Sequence, residues 1–204
     1  MATTLRETVA ALPGPVSAPP VQRPRVLLVG TAFAAAASVM MFVGLIGVYL
    51  SVRTTLITDV GTWLPTGVIV PLVQPNMMLF TLLLSSVMVQ WAVSAIKNDD
   101  RTNTYLALGT TLLLAFAFLV EMGYLYALMK ADVTTIPGLL IYAISGAHFA
   151  MVISAMVFVI LMGFRALAGE FTSRQHDGIA AAAIYWHSMV AIYALIWISI
   201  FVTK

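Results

Sequence analysis

Charged residues fall in short clusters along this chain, and the stretches between them are almost wholly apolar. Arg25 and Arg53 bracket a first uncharged run; a second starts near Pro75 and ends at Lys97; the others lie between Arg101 and Lys130, Asp132 and Arg165, and Asp177 and Lys204. Each exceeds the roughly 20 residues a bilayer-spanning helix needs. Pro75 suits a first helical turn, where its missing N–H is no loss, while Pro71 suits the approach and not the span. Spanning strands would be about half as long and would alternate polar with apolar side chains. The pattern predicts an all-α polytopic membrane protein, a bundle of five transmembrane helices over about residues 26–52, 75–97, 103–130, 138–165 and 178–203.

Composition agrees with the pattern. The 204 residues are 61% hydrophobic and 9% charged, with mean hydropathy +1.01, whereas a soluble domain carries about 25% charged residues. With no cysteine, disulfides, thiolate metal sites and iron–sulfur clusters are out of consideration. The net charge of +2 bears on topology and not on nucleic acid. Arg6, Arg23, Arg25, Lys97, Arg101, Arg165 and Arg174 share one side of the membrane, against Arg53, Lys130 and Lys204 on the other. The positive-inside rule therefore places the N-terminus in the cytoplasm and the C-terminus outside. Residues 1–25, with Pro13, Pro15, Pro19, Pro20 and Pro24 and no apolar core, are expected to form an extended cytoplasmic tail and not a signal peptide. Trp63 is placed to anchor the long external connection at the interface. No transporter-like internal repeat is visible.

Three ionisable side chains lie within the spans: Glu121, His148 and His187. Such groups are costly in hydrocarbon and face other helices, pair with one another, or line polar paths. At about 1.5 Å per helical residue, Glu121 lies roughly 12 Å and His148 roughly 16 Å from the outer helix ends, which makes them candidate partners. His187 lies nearer the cytoplasm, beside Tyr185 and Trp186. Each has a structural and a functional reading: Glu121 as a hydrogen-bonded carboxyl or a proton carrier, the histidines as interhelical hydrogen-bonders or as ligands. Trp186 reads equally as a packing residue. The twelve methionines read as adaptable packing side chains, and Gly44 and Gly47 as positions for close helix approach. No Gly-rich phosphate loop, His-Glu-x-x-His pattern or nucleophile with a placed base is present, so the chain is not expected to be a catalyst by itself. Two histidines on different helices at unequal depths suit a bis-histidine haem poorly.

The segment from His176 through Ile184-Tyr185-Trp186-His187 to Ile198-Ser199-Ile200 resembles the last helix of the cytochrome c oxidase subunit III family, the non-catalytic third core subunit of haem–copper oxidases. In that family a Tyr-Trp-His motif opens this helix after a short cytoplasmic loop. Gly146-Ala147-His148 is similar to the family's Gly-x-His in the preceding helix, and Phe42-Val43-Gly44-Leu45 with Tyr49 to the pattern of its first shared helix. The resemblance covers roughly residues 24 to 204 and fits the short five-helix bacterial form. The departures are Ser38 where the family has a buried Glu, Met151 in the second place of His-x-x-His, and Val190 in place of the acid of Tyr-Trp-His-x-x-Asp. Glu121 is a candidate to replace the lost carboxyl.

The resemblance implies an accessory subunit of an aerobic terminal oxidase in the bacterial plasma membrane. Such a subunit stabilises catalytic subunit I, binds phospholipid, and supports oxygen access and proton uptake. It implies no cofactor, metal or catalytic residue in this chain, with haem and copper in partner subunits. Other oxidase subunits, membrane lipids and a larger respiratory supercomplex are the expected company, and nucleic acid is not. Trp186 and His187, then His148, with Glu121 and Ser38, are the candidate lipid-facing or intramembrane polar site. Arg25, Arg165 and Arg174 are candidates for lipid phosphates at the cytoplasmic surface. Two rival readings stand: an accessory subunit of another oxidase or a nitric oxide reductase, and a two-histidine b-type membrane cytochrome.

Overall fold

The computed structural model describes residues 25–65 and 67–203. The proline-rich stretch expected as a cytoplasmic tail, with Arg6 and Arg23, lies outside the described residues, as does Lys204. Five long helices make up the fold: α1 (Val26–Val60), α2 (Val73–Lys97), α3 (Arg101–Met129), α4 (Ile136–Leu167) and α5 (Asp177–Ile196). A π-helical turn, Trp197–Val202, continues α5. Together these give five segments long and apolar enough to cross a membrane, and no strand ladder forms among the described residues beyond an isolated Thr172–Gln175 bridge. The chain is a multi-pass membrane protein.

Local chemistry sets the helix ends. The Asp100 carboxylate accepts the Asn103 N–H at 3.0 Å and so caps α3, and Thr135 Oγ1 accepts the Gly138 N–H at 3.2 Å at the start of α4, each satisfying a donor the helix leaves unmet. A Cβ on Gly138 would collide with the Asp132 carbonyl oxygen, so this turn requires glycine. α1 runs past Arg53 for seven further residues. There Thr54, Thr55 and Thr58 each donate a hydroxyl hydrogen bond to the carbonyl four residues back, and Gly61, at φ 80°, closes the helix onto Ile57 O.

The bundle is built around α5, which packs against α1, α2 and α4, while α2 and α3 form the tightest pair. Of the most apolar stretch in each helix, 56% is buried in α5 and its extension but only 17% in α1. Large side chains such as Phe42, Tyr49, Phe118, Trp186 and Tyr193 fill the interior, and others such as Phe33, Met40, Phe80 and Phe116 are well over half exposed on the outside. That outward apolarity is stable in lipid, where packing and interhelical hydrogen bonds hold helices together in place of a hydrophobic drive. Arg53 ties the two ends of the fold: its guanidinium donates to Thr203 Oγ1 at 3.2 Å and to the Thr203 carbonyl.

Candidate functional site

Several polar side chains within the spans, Ser85, Ser86, Gln90, Trp186 and His187, gather along the seam between α2 and α5. Trp186 is fully buried, and its Nε1–H donates to Ser85 Oγ at 2.9 Å. Ser85 in turn donates to Leu82 O at 2.7 Å, so both hydrogen-bonding groups are used. His187 bridges two residues one turn apart on α2: Nδ1 lies 2.6 Å from Ser86 Oγ and Nε2 lies 3.1 Å from Gln90 Oε1. An amide oxygen only accepts, so Nε2 carries the ring proton and Nδ1 accepts the Ser86 hydroxyl. Toward the C-terminal end of α5, the Tyr193 hydroxyl donates to Pro75 O at 3.3 Å and Trp197 Nε1–H to Asn76 Oδ1 at 2.7 Å. The π-helical turn carries Trp197 into this last bond.

Side chains expected to face lipid or a cleft are thus turned inward or shared between helices. Trp186 has no exposed surface, because the small Ser85 lets α2 approach closely enough to accept its indole. His187 is partly exposed, with both ring nitrogens engaged. Tyr185 stands apart from the seam; its ring meets Phe158 of α4 edge-on, centroids 6.5 Å apart.

His148 ties α4 to α5. Its ring is fully buried, Nε2–H donates to Met189 O at 3.1 Å, and Nδ1 is buried without a hydrogen-bond partner. The rings of Phe42, Phe118 and Tyr193 surround it at 6.0, 5.8 and 5.3 Å. Glu121 is not its hydrogen-bond partner. That carboxyl sits at the edge of the α2–α3 pair, partly exposed, with both oxygens 3.4 Å from Thr81 Oγ1. Ser38 donates to Ala34 O within its own helix at 2.9 Å. Because α1 packs on α5 and α4 and not substantially on α3, the fold does not bring Glu121 to the Ser38 position. Met151 and Val190 are buried apolar side chains.

At the surface that joins α2 to α3 and α4 to α5, two of the three arginines expected to meet phosphate have protein partners. Arg165 lies 2.7 Å from Glu170 and over the Phe171 ring, and Arg25 lies 3.8 Å from Asp177. Arg174 is exposed in the tight 172–175 turn. The turn at Asp99 holds the 168–176 loop, Asp99 Oδ1 accepting the Ser173 N–H at 2.7 Å. The Ser173 hydrogen bonds, from its side chain first and then its backbone, hold the Asp99 carboxyl below the usual carboxylate range.

Ser85, Ser86 and Gln90 were not among the residues the sequence pointed to, although a Ser-Ser pair and a Gln one turn later inside an apolar run is itself an intramembrane polar signal. No group of three or more His, Asp or Glu that could hold a metal occurs among the described residues. The two histidines do not offer a bis-histidine haem site. Both nitrogens of His187 are engaged, and the free nitrogen of His148 is walled in by three aromatic rings.

Fold and seam together define a multi-pass helical membrane protein whose intramembrane polar groups bind its own helices to one another. Residues 20–203 match the family model for cytochrome c oxidase subunit III. The chain is 34% identical over 146 residues to cytochrome c oxidase subunit 3 of Salmo salar, covering 69% of this chain and 55% of that protein. It is 32% identical over 144 residues to that of Bos taurus, with the same coverage. The chain belongs to the cytochrome c oxidase subunit III family, and it spans about half the length of the curated relatives it matches.

Proposed function

We propose that this chain is the non-catalytic accessory subunit III of a haem–copper cytochrome c oxidase, in a bacterial plasma membrane with the N-terminus cytoplasmic and the C-terminus external. Its role is to brace the catalytic subunit, hold phospholipid, and support oxygen access and proton uptake. Haem and copper belong to the partner subunits. The observation that carries the reading is the seam: the family's Tyr-Trp-His helix is the hub of the bundle, and the ring nitrogens of Trp186 and His187 are spent on helix ties, which suits a scaffold better than a redox protein.

The test is to extract the full chain in mild detergent and identify what accompanies it by mass spectrometry. A haem–copper catalytic subunit is expected. A stoichiometric haem band kept by the isolated chain, and lost on replacing His148 or His187, would overturn the proposal in favour of a b-type cytochrome. The chain's lack of cysteine makes orientation directly measurable: Arg174→Cys should react with an impermeant maleimide only from the cytoplasmic side, and Lys130→Cys only from outside. Ser38, Met151 and Val190 favour a second reading, service to a different oxidase or a nitric oxide reductase, and the identity of the co-purified subunit decides between the two.

A further inference from the structure

Glu121 is partly exposed at the α2–α3 edge, about 12 Å from the C-terminal end of α3 at the helical rise. Both of its carboxyl oxygens lie 3.4 Å from Thr81 Oγ1. A hydroxyl has one proton to give, so Thr81 supplies at most one long hydrogen bond to a group with about four acceptor sites. Tyr193 lies within electrostatic reach, but its hydroxyl hydrogen goes to Pro75 O. A carboxyl at this depth is costly unless it is paired or faces protein or water. Acyl chains packed over the edge would fill space and offer it no donor.

The chain brings no countercharge to that depth. The basic residues that bound α3 are Arg101 and Lys130, about 30 Å and 14 Å from Glu121 along the axis. Arg53 of α1 is turned to Thr203, and the two ion pairs among the described residues, Arg25–Asp177 and Arg165–Glu170, sit at helix ends. A second copy of this chain would carry the same deficit. Around the carboxyl the surface is open. One turn from Thr81 on α2, Met77 and Leu84 are exposed, and one turn from Glu121 on α3, so is Tyr124. Ala117, a turn the other way and partly exposed, is small enough to admit a helix close to the carboxyl.

We propose that the α2–α3 edge centred on Glu121 receives a transmembrane helix of a different subunit, one that carries an arginine or lysine side chain to the Glu121 carboxylate. The N–H donors of that side chain meet the acceptor sites Thr81 leaves open, and its charge balances the carboxylate where water is scarce. Removing either member of such a pair leaves an uncompensated charge, so the contact depends on both chains. Exposed apolar residues surround the whole bundle; Glu121 is what singles out this edge. The inference rests on the reading of the chain as an accessory subunit and adds a contact face and the chemistry of the side chain that meets it.

The test uses the full chain in its native membrane. The photoreactive amino acid p-benzoylphenylalanine is placed at Tyr124 and, as a control, at Phe33, an exposed residue of α1, and cross-linked peptides are identified by mass spectrometry. From Tyr124 the expected product is a transmembrane peptide of another subunit with an Arg or Lys inside its apolar run, and from Phe33 that peptide is not expected. Glu121→Gln, which keeps the shape and removes the charge, should lower both this cross-link and retention of that subunit through detergent extraction about tenfold. Glu121→Lys, with the partner's basic residue changed to Glu, should restore both. Ala117→Leu should weaken the contact in a chain of unchanged helicity, whereas Gly30→Leu, unobstructed on α1, should not. Cross-links to lipid alone or to a second copy of this chain, a peptide with no basic residue in its apolar run, or indifference to Glu121→Gln would overturn the proposal. Absence of a haem–copper subunit from the wild-type preparation would count against the accessory-subunit reading. Its presence without a Tyr124 cross-link to any subunit counts only against this contact.

Discussion

The Ser85–Trp186 bond admits a quantitative test of whether the Tyr-Trp-His helix works as a structural hub. Ser85→Ala removes the acceptor and strands a fully buried indole N–H; an unmet buried donor costs about 1–3 kcal/mol. Trp186→Phe removes the donor instead, and Ser85 Oγ still donates to Leu82 O, so its loss is one of packing. The two changes should therefore be non-additive. Intramembrane hydrogen bonds measured by double-mutant cycles average about 0.6 kcal/mol with a maximum near 1.7, so the coupling expected here is about threefold in the unfolding equilibrium constant and at most about twentyfold. The assay is equilibrium unfolding of wild type, both single variants and the double variant in mixed detergent micelles, followed by tryptophan-independent far-UV circular dichroism. Ser85→Ala should be nearly silent in the Trp186→Phe background. Strict additivity, with Ser85→Ala equally costly in both backgrounds, would refute the assignment of Trp186 to the α2 seam.

Two further perturbations follow from the loops. Gly138→Ala drives a methyl into the Asp132 carbonyl and against Thr135 Oγ1, 2.9 Å away, and should destabilise the fold by about 1–3 kcal/mol or more, seen as a lowered midpoint in the same unfolding assay, whereas Gly109→Ala should not. Asp99 has its folded pKa depressed, so its stabilising contribution is present above the unfolded value of about 4 and disappears as pH falls through the lower folded value. Protection of the Ser173 amide relative to its intrinsic exchange rate, measured by mass spectrometry, should fall as pH drops below about 4 in wild type and already be reduced at neutral pH in Asp99→Ala, which removes the acceptor.

The five spans were legible because each contains a long apolar run with at most one charge, Glu121 in α3, a pattern that suits a bilayer. The extents were less so. Arg53 looks like a boundary, yet α1 continues through Thr54, Thr55 and Thr58, whose hydroxyls satisfy local carbonyls, and the guanidinium folds back to Thr203. Of the polar residues, the sequence marked Trp186, His187 and His148 but not their partners. Which residue accepts the Trp186 indole depends on which helix lies beside α5 and at what register, and spacing along one helix carries no such information. Glu121 and His148, candidate partners at roughly comparable depth, form no hydrogen bond with each other for the same reason: depth is one coordinate, and the side of the helix is another. Glu121 points to Thr81 at the α2–α3 edge, and His148 points into α5.

The departures from the family pattern acquire a physical logic once α4 and α5 are placed together. His148 donates to the Met189 carbonyl. Met151 lies in the helical turn after His148 and Val190 directly follows Met189, so both replaced positions fall within a turn of that tie, and both are buried. A histidine at 151 and an acid at 190 would be two further polar groups in one layer of the core. Losing one alone would leave the other buried and unpaired, at a cost of about 3–5 kcal/mol, whereas replacing both with apolar side chains is often neutral or stabilising. If residues 151 and 190 meet across the α4–α5 interface, the two substitutions form one concerted change. Restoring them singly and together makes this measurable: Val190→Asp alone should unfold at markedly lower denaturant, and Met151→His with Val190→Asp should recover about half or more of that loss. If the double variant is no more stable than the sum of the single losses predicts, the two positions are independent, and Val190 reflects drift in a core that never depended on the pair.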